Sequence, residues 1–117
     1  MDKKTSALLL KEWRERLVLN DWFINLSYAC DPSDMALENC AGECEWETTN
    51  KCASVRIKHE KYLETPEYYN FERTLIHELL HIKFGIVWNN VDGAARDLLH
   101  QTIEELARAL YDAKEKK

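Results

Sequence analysis

The chain has 117 residues, 45% of them hydrophobic, and a formal net charge of −5. That length carries one modest core, so residues 1–117 are expected to form a single domain. Interspersed charges without a basic stripe argue against a nucleic-acid partner, and apolar runs no longer than that at Ala7–Leu10 fall far short of the roughly 20 residues that cross a bilayer.

Leu8, Leu9, Trp13, Leu17 and Val18 recur at helical spacing behind Thr5 or Ser6 as N-cap, which predicts a first helix ending near Asn20. Trp22, Ile24, Leu26 and Tyr28 alternate with Phe23, Asn25, Ser27 and Ala29, the period of a strand. Asp31 to Gly42 reads as loop or irregular structure. A short strand from Cys44 to Thr48 and a turn at Thr49-Asn50-Lys51 lead to a further strand, where Ala53, Val55 and Ile57 alternate with Ser54, Arg56 and Lys58. Cys30, Cys40, Cys44 and Cys52 crowd into this region. Their even count would allow two disulfides in an exported protein, or a metal site. However, the spacing lacks the paired CxxC of a zinc ribbon, and no signal-type apolar core follows the first lysines. The expected compartment is the cytoplasm, and free thiols are the expected state.

Thr65-Pro66-Glu67 offers a capping hydroxyl, a proline at the first helical position and an acid in the first turn. The helix it opens is expected to run to Gly85, which would stop it in the left-handed conformation. A loop through Trp88, Asn89 and Asn90 precedes a last helix from about Asp92 to Asp112, with Leu99, Ile103, Leu106 and Leu110 on one face and a disordered DAKEKK tail after it.

Within the Thr65–Gly85 helix lies HELLH, from His77 to His81. Residues four apart share a helix face, so His77 and His81 can present two imidazoles to one metal ion. Glu78, one residue round, can reach a water on that ion as general base. Zinc suits such ligands, since it acidifies the water and polarises a carbonyl. The bland alternative is two polar histidines and an acid on a solvated helix face.

A strand such as Ala53–Lys58, a helix bearing HELLHI and a closing helix of the type HQTIEELARAL together resemble the very small zincin-type metallopeptidases of bacteria and their phages, including minigluzincin-like proteins. The resemblance covers the chain from about Cys44 to Ala113, and its specific part is the HExxH. It implies an α+β, zincin-like fold in which a small antiparallel or mixed sheet packs with an N-terminal helix, the HExxH helix and a C-terminal helix. The strand before the active helix would be the sheet edge, where an extended peptide pairs. It also implies zinc on His77 and His81, Glu78 as general base, and hydrolysis of a peptide bond in a peptide or protein substrate. A non-catalytic zincin-fold binding or regulatory protein, with structural metal or none, is the competing expectation.

The chain lacks the HExxHxxGxxH continuation of metzincins, so the third ligand falls to the last helix, which offers His100, Glu104 and Glu105. At about 100° per residue from the apolar stripe, His100 lies roughly 90° from its centre and the two glutamates roughly 120° to 130°. His100 is the expected ligand, with Glu104 the alternative that would make the site gluzincin-like. His59, at a strand end, and Tyr62, Tyr68 and Tyr69, before the active helix, are secondary candidates whose blander roles are surface and packing. Trp13, Trp22, Trp46 and Trp88 are expected to anchor the core or its rim.

Overall fold

In the computed structural model, which describes residues 1–37, 40–63 and 70–116, the chain runs through four helices and three strands among the described residues. Helix α1 (Lys3–Arg16) is capped by Asp2, whose carboxylate accepts the Thr5 N–H at 2.6 Å. The expected caps are therefore displaced: Ser6 is buried inside the helix and donates its hydroxyl to the Lys3 carbonyl. The helix ends at Arg16, not near Asn20, because the chain turns at Val18 with φ 57°, which buries Leu19.

Strands β1 (Phe23–Cys30), β2 (Gly42–Glu47) and β3 (Cys52–Lys58) form one mixed sheet in the order β1-β3-β2. β1 runs parallel and β2 antiparallel to β3. The expected edge strand is thus the central one. Val55 and Ile57 are fully buried, and the strand with the most apolar inner face takes the position bonded on both sides. β2 is an edge strand, joined to β3 by the predicted turn. On the outer face Arg56 lies between Ser27 and Glu43 in register and pairs with Glu43 at 2.6 Å and with Glu45. Between β1 and β2 a short 3-10 turn covers Pro32–Asp34.

Helix α2 (Phe71–Lys83) packs against the inner face of β2 and β3 and is the centre of the fold, touching α1 and the remaining helices as well. Leu75, Ile76 and Leu79 have no exposed surface, and each such side chain contributes about 1.5–3 kcal/mol of burial. Asn70 caps the helix by accepting the Arg73 N–H at 3.0 Å. The start expected at Thr65-Pro66-Glu67 lies outside the described residues. Nor does Gly85 stop the helix. α2 ends at Lys83, and Gly85, without a positive φ, opens the short helix α3 (Gly85–Asn89), so Trp88 and Asn89 are helical.

Helix α4 (Gly93–Glu115) crosses α2. Its buried line is Ile103 and Ala107, with Leu106 turned outward at 37% exposure, so the true core direction is rotated toward His100 relative to the predicted stripe. The tail expected to be disordered is helical through Glu115 because Lys114 donates to Glu72 at 2.5 Å and Glu12 at 3.0 Å. Trp13 donates its indole N–H to the same Glu72 at 2.6 Å, which ties α1, α2 and α4 together. No described helix is long and apolar enough to cross a membrane.

Gly85 is required by close approach: a Cβ there would stand 2.5 Å from the Trp46 indole nitrogen. Glycine to alanine within a helix ordinarily stabilises by up to about 1 kcal/mol. Gly85→Ala is instead expected to destabilise by about 1–3 kcal/mol, because it displaces a packed ring. Urea unfolding of the two proteins checks the sign, and equal or higher stability in the variant would refute the packing argument.

Candidate metal centre

His77 and His81 lie one turn apart on α2, and His100 reaches the same point from α4. One ring nitrogen from each lies within 4.8 Å of the others. The Nε2 atoms of His77 and His81 are 3.2 Å apart. Two ligand nitrogens at about 2.0–2.1 Å from a tetrahedral zinc stand about 3.3–3.4 Å apart, so the His77–His81 pair fits that ion with little adjustment. The rotated core direction of α4 explains why His100 joins the cluster although its side chain is exposed.

Glu104, one turn after His100, is not in the cluster of converging nitrogens and oxygens. Its Oε2 lies 2.6 Å from His77 Nδ1. An ionised carboxylate only accepts, so Nδ1 carries the proton and Nε2 offers its lone pair to the centre. Glu104 thereby orients the His77 ring. Glu105 is exposed and makes no such contact.

His81 is held differently. Its ring stacks on Trp46, at 6.2 Å between centroids and 20° between planes, and meets Trp88 edge-on at 5.0 Å. Trp46 comes from β2, where it seats on Gly85, and Trp88 from α3, where the Arg96 guanidinium covers it at 5.1 Å. Both tryptophans, expected to anchor the core or its rim, wall the site, and no feature of the sequence alone marks them for that place.

Glu78 is buried, 6% exposed, and lines the same pocket. β2 passes so close that a Cβ on Gly42 would lie 3.2 Å from Glu78 Oε2 and 2.9 Å from Thr74 Cγ2. Burial pushes the Glu78 carboxyl up to about 8, and the nearby charges of Glu43 and Glu104 add to the rise. Burial also pushes His81 down to about 4, with His77 and His100 adding to the fall. His77 is lowered by burial against the opposing pull of Glu104. Two neutral imidazoles are the state in which nitrogen binds a metal.

The remaining candidates lie elsewhere. His59 caps a 3-10 turn, its Nδ1 accepting the Lys61 N–H at 3.1 Å, and Tyr62 donates its hydroxyl to Asp31 at 2.8 Å. Tyr68 and Tyr69 lie outside the described residues. All four cysteines carry free thiols. Cys40 and Cys44 line the pocket, and burial raises both thiols, Cys44 strongly, so neither supplies a ready thiolate. Compared with protein-family models, curated proteins and solved structures, the chain matches none.

Two predictions follow from this geometry. Purified protein dialysed against zinc should hold one equivalent by elemental analysis, and His77→Ala, His81→Ala or His100→Ala should lose tight binding. Glu104→Gln should keep the stoichiometry and weaken affinity about 10- to 100-fold in chelator competition. Tight zinc retained in His100→Ala, together with loss in Glu104→Gln, would reverse the two assignments.

The second concerns the metal-free protein. A carboxyl raised on folding from 4.5 to about 8 contributes stability that is fully present below about pH 4.5 and lost as pH rises through about 8. Metal-free Glu78→Gln should therefore be more stable than wild type above about pH 8, with the advantage shrinking toward about pH 4.5. Thermal unfolding across pH measures it, and a constant difference would show that Glu78 is not the titrating group.

Proposed function

We propose that this protein is a zinc-dependent metallopeptidase with a zincin-like arrangement of its helices and sheet. The observation that carries this reading is Glu78: a buried carboxyl in the pocket of three converging imidazoles, yet outside the ligand cluster itself. A purely structural metal site has no use for a buried acid beside its ligands, whose desolvation costs stability.

His77, His81 and His100 would hold the ion. When bound, zinc supplies a Lewis acid and acidifies water. It also stabilises the ionised form of Glu78, which burial alone holds neutral near pH 7. Glu78 takes the proton of the attacking water on its carboxylate and returns it to the leaving amine. The protonated Nδ1 of His77, bonded to Glu104, keeps that ring from turning, while Trp46 and Trp88 exclude solvent from His81. β2 is an edge strand and contributes Gly42 and Trp46 to the pocket, so the peptide-pairing edge is assigned to β2 and not to β3. An extended peptide adding to that edge would bring a backbone carbonyl over the imidazoles.

The test is a peptide-library digest with zinc-loaded wild type and zinc-loaded Glu78→Gln, with a chelator control. Glu78→Gln should retain zinc and lose about 100- to 10,000-fold in rate. Equal cleavage by both would remove Glu78 from the mechanism. Bound zinc with no cleavage by wild type across the library would favour a non-catalytic binding protein.

A further inference from the structure

The pocket above the three imidazoles has a volume of about 330 Å³. On the same measure a water needs about 10–15 Å³, and a cavity of about 150 Å³ takes a benzene ring. The space thus exceeds what the hydrolytic centre needs for an ion and a water, and admits a ring-sized group beside a peptide unit. We propose that this pocket binds a bulky apolar side chain of the substrate, aromatic or branched aliphatic, next to the scissile bond, with Leu37, Trp46 and Trp88 as the residues that select it. The assignment rests on the peptidase reading above.

Charge decides against the other occupants. Among the described lining residues there is no lysine or arginine, while the buried Glu78 carboxyl lies in the lining beside the imidazoles. An acidic side chain or a free terminal carboxylate would find no protein cation there and would be desolvated beside the Glu78 carboxyl, which costs several kcal/mol. A basic side chain gains no partner from Glu43, whose oxygens accept the N–H groups of Ala36 and Leu37 at 3.0 and 2.9 Å and the Arg56 Nε at 2.6 Å. It would also stand beside a bound dication.

Leu37 supplies the independent observation. It is 60% exposed and adds nothing to the core, yet its backbone is fastened by the Glu43 carboxylate, which is itself 4% exposed. Burial alone would raise that carboxyl, but the two backbone donors and Arg56 outweigh it and hold the group below the usual glutamate value, hence ionised. A buried charge is thus used to place an apolar side chain at the rim of a pocket. The other walls are fixed as firmly: Trp46 is seated on Gly85, and Trp88 is covered by Arg96, which also donates to its carbonyl at 3.0 Å. Rigid apolar walls formed before the ligand arrives are what selective side-chain binding requires.

Three zinc-chelating probes test the assignment on zinc-loaded protein by calorimetry: acetohydroxamate, 3-phenylpropionohydroxamate, and succinic monohydroxamate, whose arm ends in a carboxylate. The phenyl arm should tighten binding about tenfold or more over acetohydroxamate, from about 25 cal/mol per Å² of apolar surface buried. The carboxylate arm should give no gain. Leu37→Ala should lose about threefold to fivefold of the phenyl gain and leave acetohydroxamate affinity unchanged, and Leu37→Arg should shift preference toward the carboxylate arm. Since Leu37 is exposed, both variants keep the core intact. Acetohydroxamate binding with no gain from phenyl, or with an equal gain from carboxylate, would overturn the pocket assignment alone. Failure of acetohydroxamate to bind the zinc-loaded protein would overturn the peptidase reading, which needs an open coordination position, and the assignment with it.

Discussion

Two imidazoles and a carboxyl are carried on the same helix that fills the centre of the core, and the surrounding elements are arranged around that burden. On α2, Glu78 and His81 lie within two turns of Leu75, Ile76 and Leu79, which have no exposed surface. Charged groups are not tolerated at such positions without partners, so burial drives these to their neutral forms, Glu78 to about 8 and His81 to about 4. Their polar atoms then need a common outlet, and the pocket between α2, β2 and α4 provides it. Two glycines make the outlet possible from opposite sides. Gly42 lets the β2 backbone lie against Glu78 and Thr74, and Gly85 lets Trp46 of the same strand come down beside His81.

The three imidazoles are held in three physically distinct ways. His77 is oriented by a hydrogen bond to Glu104, which fixes its tautomer. His81 has no carboxylate partner among the described residues and is positioned by ring contacts with Trp46 and Trp88. His100 is the most exposed of the three and stands edge-on to His77, at 5.1 Å between centroids. Rigidity therefore decreases from α2 outward to α4, so the ligand supplied last is also the one with most freedom to adapt to an ion. Such a gradient suits a site in which two ligands on one helix are set by the fold and a third closes it from another element.

The sequence carried the α2 part of this site and missed its walls, and the reasons are local. HExxH is legible because helical spacing alone places its members, whatever the tertiary fold. Alternation found β1 and β3 for the same reason, since Ala53, Val55 and Ile57 share one face by strand geometry. Strand order is not local: an apolar, alternating β3 reads the same at an edge or in the centre, and only the pairing with both neighbours distinguishes them. Trp46 and Trp88, separated by 42 positions of chain, become one collar only after β2 and α3 meet. Gly85 was legible as special but for the wrong cause, since its need comes from an indole 39 residues earlier and not from a left-handed turn. The choice of His100 over Glu104 came from a stripe drawn through Leu106. The structure turns that stripe toward Ala107, and this brings both residues to α2 in different roles.

That rotation of α4 has an energetic side. Ile103 and Ala107 dock the helix on α2 through apolar contact, and His100 and Glu104 sit one turn apart on the adjoining flank, so docking and site closure share one register. A small residue at 107 lets the helices approach; a larger one would push α4 outward and carry His100 away from His77 and His81. Conversely, any ion held by all three imidazoles bridges α2 to α4 and binds only the docked state. Its binding free energy then adds to the stability of that docking, by an amount set by metal concentration relative to affinity. With Lys114 pinning the far end of α4 to Glu72 and Glu12, the helix is anchored at one end by charge, in the middle by Ile103 and Ala107, and near its start by the site itself. The near end is the one whose anchor depends on what the site holds.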